Sequence, residues 1–113
     1  MKRIPVAIPS IQLGATATLI YTAPTATTST IGNMSFSNTS GSPVAITVYN
    51  VPSAGSAGTT NIVVPSFTLS AGQSYVPPQL IGLSLAPGAT LQALAGTAAV
   101  INAQGGVYET SGS

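Results

Sequence analysis

Apolar and polar residues alternate with a period of two over much of this chain, and the spacing of an amphipathic helix is hard to find. β-Branched runs punctuated by Gly, Pro, Ser and Asn recur at short intervals, which predicts an all-β protein. Residues 16–22 (TATLIYT) read as a first strand. In residues 30–38, Met34 and Phe36 alternate with Asn33, Ser35 and Ser37; after the turn cluster NTSGSP, Val44, Ile46 and Val48 alternate with Ala45, Thr47 and Tyr49. Two strands flanking one turn predict a hairpin. Residues 51–61 (VPSAGSAGTTN) offer little to pack and predict an exposed loop. The strand over 62–70 contains Pro65, which cannot donate to a ladder, so it should lie at an edge or carry a bulge. The last strands fall at 90–95 and 98–103, with 106–110 adding to an edge.

Two motifs echo each other, LSAGQSY (69–75) and LAPGATL (85–91), and each reads as strand, tight turn, strand. Pro87-Gly88 suits a type II turn, Pro presetting a negative φ and Gly supplying the positive one; Ala71-Gly72 can do the same. Between them VPPQLIGLSL cannot be a regular central strand, and 79–83 is expected to form a single helical turn. About seven or eight short strands imply two packed sheets, because one sheet would leave an apolar face wet. The expected fold is an all-β, antiparallel β-sandwich or jelly roll over 15–113, its core built from Leu19, Met34, Phe36, Val44, Ile46, Val48, Ile62, Leu69, Leu91, Ala93 and Val100. Pro5 and Pro9 favour extended backbone in residues 1–14, which predict an N-terminal arm lying on a neighbour through Ile4, Val6, Ile8 and Ile11. The same prolines interrupt what would otherwise pass for a signal segment.

Charge changes the picture. Only Lys2, Arg3 and Glu109 are charged, 3% of 113 residues, whereas an ordinary domain has roughly a quarter. Hydrophobic residues make up 44%, enough for a packed core, and Ser and Thr supply about a quarter of the chain. A neutral surface costs little to desolvate and lacks the self-repulsion that keeps monomers apart, so a homo-oligomer, dimer or trimer, is expected. Sheet edges are normally guarded by charge, and here partner strands or the termini are expected to cover them. Two adjacent basic residues cannot make a nucleic-acid surface. No apolar run approaches the length of a membrane-spanning helix.

Catalytic chemistry has nothing to start from. Without His, Asp or Cys there is no general base for the many hydroxyls, no thiol nucleophile and no zinc site, and one carboxylate cannot form a hydrolytic pair. No catalytic, metal or cofactor residue is expected. SAGSAGTT lacks the lysine of a phosphate-binding loop. Glu109 reads as a solvated or ion-paired group. Tyr21, Tyr49, Tyr75 and Tyr108 are expected half-buried, with Tyr49, Tyr75 and Tyr108 as partner contacts; gathered on one face, the four would make a sugar-stacking platform.

From Thr16 to about Gly96 the chain resembles a module of small virion proteins in tailed bacteriophages. The resemblance rests, in order, on LIYTAP (19–24), SNTSG (37–41), VPSAGSAGT (51–59), LSAGQSY (69–75) and the L-x-P-G-x-x-L-x-A pattern of 85–93. It implies a β-sandwich on the virion with no catalytic residues, and within that family a capsid decoration, or cement, protein holding neighbouring major-capsid subunits. A tail- or fibre-associated carbohydrate-binding module is the alternative, and a secreted adhesin or pilin-like subunit a third reading.

Overall fold

The computed structural model describes residues 3–78, 80–97 and 100–111. Lys2, Gln79 and the start of the strand expected over 98–103 lie outside them. Among the described residues nine strands follow one another: β1 (Arg3–Gln12), β2 (Thr18–Thr22), β3 (Thr27–Asn38), β4 (Val44–Val51), β5 (Ile62–Leu69), β6 (Ser74–Tyr75), β7 (Ser84–Leu85), β8 (Thr90–Ala95) and β9 (Ile101–Ser111). They form two antiparallel sheets. Sheet A runs β1-β9-β3-β6, with β7 also on β3; sheet B runs β2-β8-β4-β5. The expected sandwich is present, and the segments expected over 98–103 and 106–110 merge into β9.

Only β4 and β5 are joined as a hairpin within sheet B; the hairpin expected between β3 and β4 does not form, because they belong to different sheets. The turn cluster is a corner built around Asn38, which is 2% exposed. Its Nδ2 donates to the carbonyls of Ser42 (2.8 Å), Leu69 (3.1 Å) and Ser70 (3.3 Å), and its Oδ1 accepts from the amide and hydroxyl of Ser40. One buried amide thus ties the end of β3 to the end of β5 across the sandwich. Alternation gives each strand's facing but not its partner.

Residues 3–12 are extended, as their prolines require, but they form the outermost strand of this chain's own sheet rather than an arm on a neighbour. Val6 pairs with Val107 and Ile8 with Gly105; Ile8 is 3% exposed, and Val6 and Ile11 pack against the core. Their apolar phase covers the inner side of β9, and an edge position tolerates Pro5.

Three further corrections concern the core. Leu19 is 51% exposed and Ile20 is buried in its place, because an extra residue in β2 shifts the phase. Ile62 is half-buried while Val64 takes the core position, and Val100 packs only at the margin. The other eight expected core residues are buried.

The two echoing motifs are each type II turns that carry the chain between sheets, and a third turn joins them where a helical turn was expected. Gln73, Leu83 and Ala89 donate to Ser70, Leu80 and Ala86, with Gly72, Gly82 and Gly88 at φ of 73, 84 and 83°. Each glycine N–H then donates to a carbonyl on the other side, of Asn38, Ile31 and Ala23, and the same three residues donate back to Gln73, Leu83 and Ala89. Three identical clamps therefore line one side of the sandwich, two of them on the outer edge of β3. Positive φ makes glycine the natural occupant at each.

Truncating Phe36 or Ile46, both 0% exposed, to Ala should cost about 2 to 5 kcal/mol. Asn38→Ala should cost about 3 kcal/mol by leaving buried backbone groups unmatched. Thr47→Ala, on the outer face, should stay within about 0.5 kcal/mol. Denaturant melts of the four variants check the ranking; Thr47→Ala falling among the core variants would contradict this register.

Candidate functional site

The interior polar cluster originates in the bulge of β2. Leu19 pairs with Gln92 and Tyr21 with Leu91, so Ile20 is the extra residue and both Ile20 and Tyr21 turn inward. Tyr21 reaches across from sheet B to Ser29 on β3 and Glu109 on β9, which are paired neighbours in sheet A. Its hydroxyl donates to Glu109 Oε2, and Ser29 Oγ, 2.8 Å away, donates to the phenolic oxygen. Ser29 is 0% exposed. The chain's single carboxylate, read from sequence as solvated or ion-paired, is therefore the terminus of a hydrogen-bond chain joining the two sheets.

Burial, first, and then the hydrogen bond and negative charge of Glu109 push the Tyr21 hydroxyl up to about 12, while the Ser29 bond acts in the opposite direction. A phenol held protonated cannot act as a base near neutral pH, and the buried Ser29 hydroxyl is already committed to it. The arrangement clasps sheets together; it does not assemble a nucleophile.

The outer faces differ in chemistry. Across sheet B one row reads Leu19, Gln92, Tyr49, Ile62, and the next pairs Leu94 with Thr47. No charged residue occurs in its four strands. Across sheet A the rows are Pro5, Tyr108, Thr30, Ser84 and Gln12, Asn102, Ser37, Ser74. An open groove of about 380 Å³ lies here between Pro5, Ala7, Asn33 and Tyr108 over Gly32 and Gly106. The Tyr108 ring rests on Gly32, where a Cβ would stand 2.9 Å from Cε2.

The seven residues expected to contact partners do not converge. Ile4 is 51% exposed at the start of β1, Val6 and Ile11 are half-buried against the core, and Ile8 is inside it. Tyr49 lies on the outer face of sheet B and Tyr108 on that of sheet A, while Tyr75 stacks on Phe67 with centroids 4.0 Å apart. With Tyr21 inside, the four tyrosines form no common platform. Exposed apolar side chains that sequence reasoning passed over are Val76 and Ile81, 44% and 52% exposed. Their signal was the proline-interrupted segment, where apolar residues have no strand to bury them.

Raising a tyrosine's ionisation from 10.0 to about 12 makes the folded form hold its proton more tightly than the unfolded form. The associated stability is complete below pH about 10 and is lost as pH rises from there towards 12. Thermal melts over this range should show a fall in Tm that is absent in Tyr21→Phe; an unchanged fall in the variant would assign it to other groups.

No protein-family model matches the chain, and no curated protein matches. Among solved structures, a chain of infectious bursal disease virus Gx strain aligns over 97% of this chain and 33% of its own length, with 18% identity and a TM-score of 0.57. A chain of the Gt strain aligns over 96% and 32%, at 15% identity and 0.48. A chain from Bacillus endospore appendages, a family of disulfide-linked pili, aligns over 100% and 93%, at 18% identity and 0.49. This protein thus spans about a third of the virus chains it matches, and the likeness at this identity is one of fold: a two-sheet, all-β architecture.

Proposed function

We propose that this chain is a non-enzymatic structural subunit of a virus particle, and that it decorates the shell by binding across junctions between copies of a major capsid protein. The observation that carries the reading is the outer face of sheet B: four strands without a charged residue, presenting Leu19, Gln92, Tyr49 and Ile62 in one row. A partner covering this face strips water from amides, hydroxyls and apolar groups and leaves no ion unpaired, so desolvation costs little. The fold likeness to a virus chain and the motif resemblance support the same reading, and low charge supports self-association within it.

A carbohydrate-binding module is the weaker reading, since the four tyrosines point to four different environments. Sugar recognition by stacking needs at least one open aromatic platform with polar groups around it. Direct imaging of a particle carrying the chain would give its position and copy number. Density for the chain away from the shell, or on a tail, would overturn decoration.

Attachment through an uncharged face should resist screening, because the Debye length falls to about 3 Å at 1 M salt without touching apolar burial. Co-sedimentation with particles should retain the protein at high NaCl, and Leu19→Asp should lower occupancy at least tenfold while leaving the melt unchanged. Release by moderate NaCl at neutral pH would contradict the proposal.

A further inference from the structure

We propose that the N-terminal half of β1, residues 3–8, is an exchangeable strand: in the assembled state it leaves its own β9 and occupies the equivalent position on a second copy of this chain. The inference deepens the assembly reading and rests on it for the high local concentration that drives exchange.

The ladder between β1 and β9 is interrupted at one place. Ile8 pairs with Gly105 and Ile11 with Ala103, so Pro9 and Ser10 stand opposite Gln104 alone. Past that interruption the chain is fixed. Leu13 is 0% exposed and donates to Ile101 at 2.9 Å, Gly14 donates to Thr18 Oγ1 at 2.9 Å, and Ala95 donates to the Gly14 carbonyl at 3.0 Å. Before it, residues 3–8 pair with β9 and with no other strand. A proline-containing bulge between an anchored segment and a singly paired edge segment is a hinge: rotation there frees the strand and leaves the rest of the sandwich joined.

The slot calls for an apolar inner face on the strand that fills it. Ala7 and Ile8 lie opposite Gly106 and Gly105, which supply no side chains, and Gly105 has no space for one: a Cβ would stand 2.1 Å from the Asn33 carbonyl. An incoming strand must therefore bring its own apolar residue to the position of Ile8, which is 3% exposed. Residues 3–8 of another copy bring that residue in register, with Val6 opposite the buried Val107 and Ile8 opposite Gly105. The pairs in the exchanged form are those of the closed form, so protein concentration sets the balance between them.

The chain has no cysteine, so introduced thiols have no native competitor. Ala7 and Gly106 are register partners on the outer face of sheet A, and a Cβ at Gly106 makes only an ordinary 3.5 Å contact with the Val6 carbonyl. Ala7→Cys and Gly106→Cys are made as separate single variants, each checked for an unchanged melt. They are mixed under reducing conditions at high concentration and then oxidised. Exchange gives a cross-chain disulfide between the two variants at least tenfold above that in either variant alone, or in a mixture of Gly106→Cys with Thr47→Cys, which lies on the other sheet. The double variant, oxidised when dilute, reports the closed form as an intramolecular disulfide. If the double variant closes on itself while the mixed singles show no excess, strand exchange is overturned. Light scattering on the unmodified protein separates the two readings: self-association without cross-chain disulfides removes the exchange and keeps assembly, and a monomer at every concentration removes both.

Discussion

A chain with three charged residues among 113 has to close its sheets without the usual guard of lysines and glutamates. It does so with backbone devices. The edge strand β1 carries Pro5 and Pro9, each lacking an amide proton; β5 carries Pro65 and a positive φ of 27° at Ser66 beside a register shift; β2 is five residues long and bulged at Ile20. The fourth edge, that of β3, is occupied by two-residue strands and two of the three glycine-turn clamps. Of the two covers expected for the edges, partner strands or the termini, the N-terminal segment is the one seen here, as the outermost strand of sheet A. What low charge leaves available for a partner is the faces, together with the segment that its own bulge makes detachable.

The same scarcity shapes the interior. A sandwich whose connections pass repeatedly from one sheet to the other buries polar backbone at its corners, and each such group needs a partner. Asn38 serves one corner through both ends of its amide, and the Ser29–Tyr21–Glu109 chain spans the sheets elsewhere. Among the described residues no buried side-chain nitrogen or oxygen lacks a hydrogen bond. These groups are neutral or half-buried, which avoids the desolvation cost of a buried ion pair.

Strand positions and most of the core were legible in the sequence because period-two alternation records which side of a strand is dry. Met34, Phe36, Val44, Ile46 and Val48 followed from that rule alone. Leu19 failed because a bulge changes phase without leaving a compositional mark. The β3–β4 hairpin failed for a different reason: a turn cluster looks the same whether the chain reverses within a sheet or steps to the other one, and the deciding contacts, from Asn38 to Leu69 and Ser70, lie about thirty residues away. The Tyr21–Glu109 contact, separated by 88 residues, leaves no local signal. The glycine turns were half legible: Pro87-Gly88 announced itself, whereas Ile81-Gly82 did not, because isoleucine is an unremarkable first corner residue.

These features bear on one another through β9. It pairs with β1 on one side and β3 on the other, and its glycines allow β3 to approach closely at Asn33. That approach fixes the β3 side, where Gly105 cannot acquire a side chain, while the β1 side meets residues 105 and 106 with no side-chain interlock at all. The two halves of sheet A therefore differ in how firmly they are held: β9 and β3 are locked by backbone contact, and the outer half of β1 is held by a ladder ending at a proline bulge. The four strands of sheet B carry no charged residue. A chain built this way keeps its fold fixed by the inner strands and concentrates its adaptability at one end of one strand, leaving the uncharged face of sheet B open to a partner.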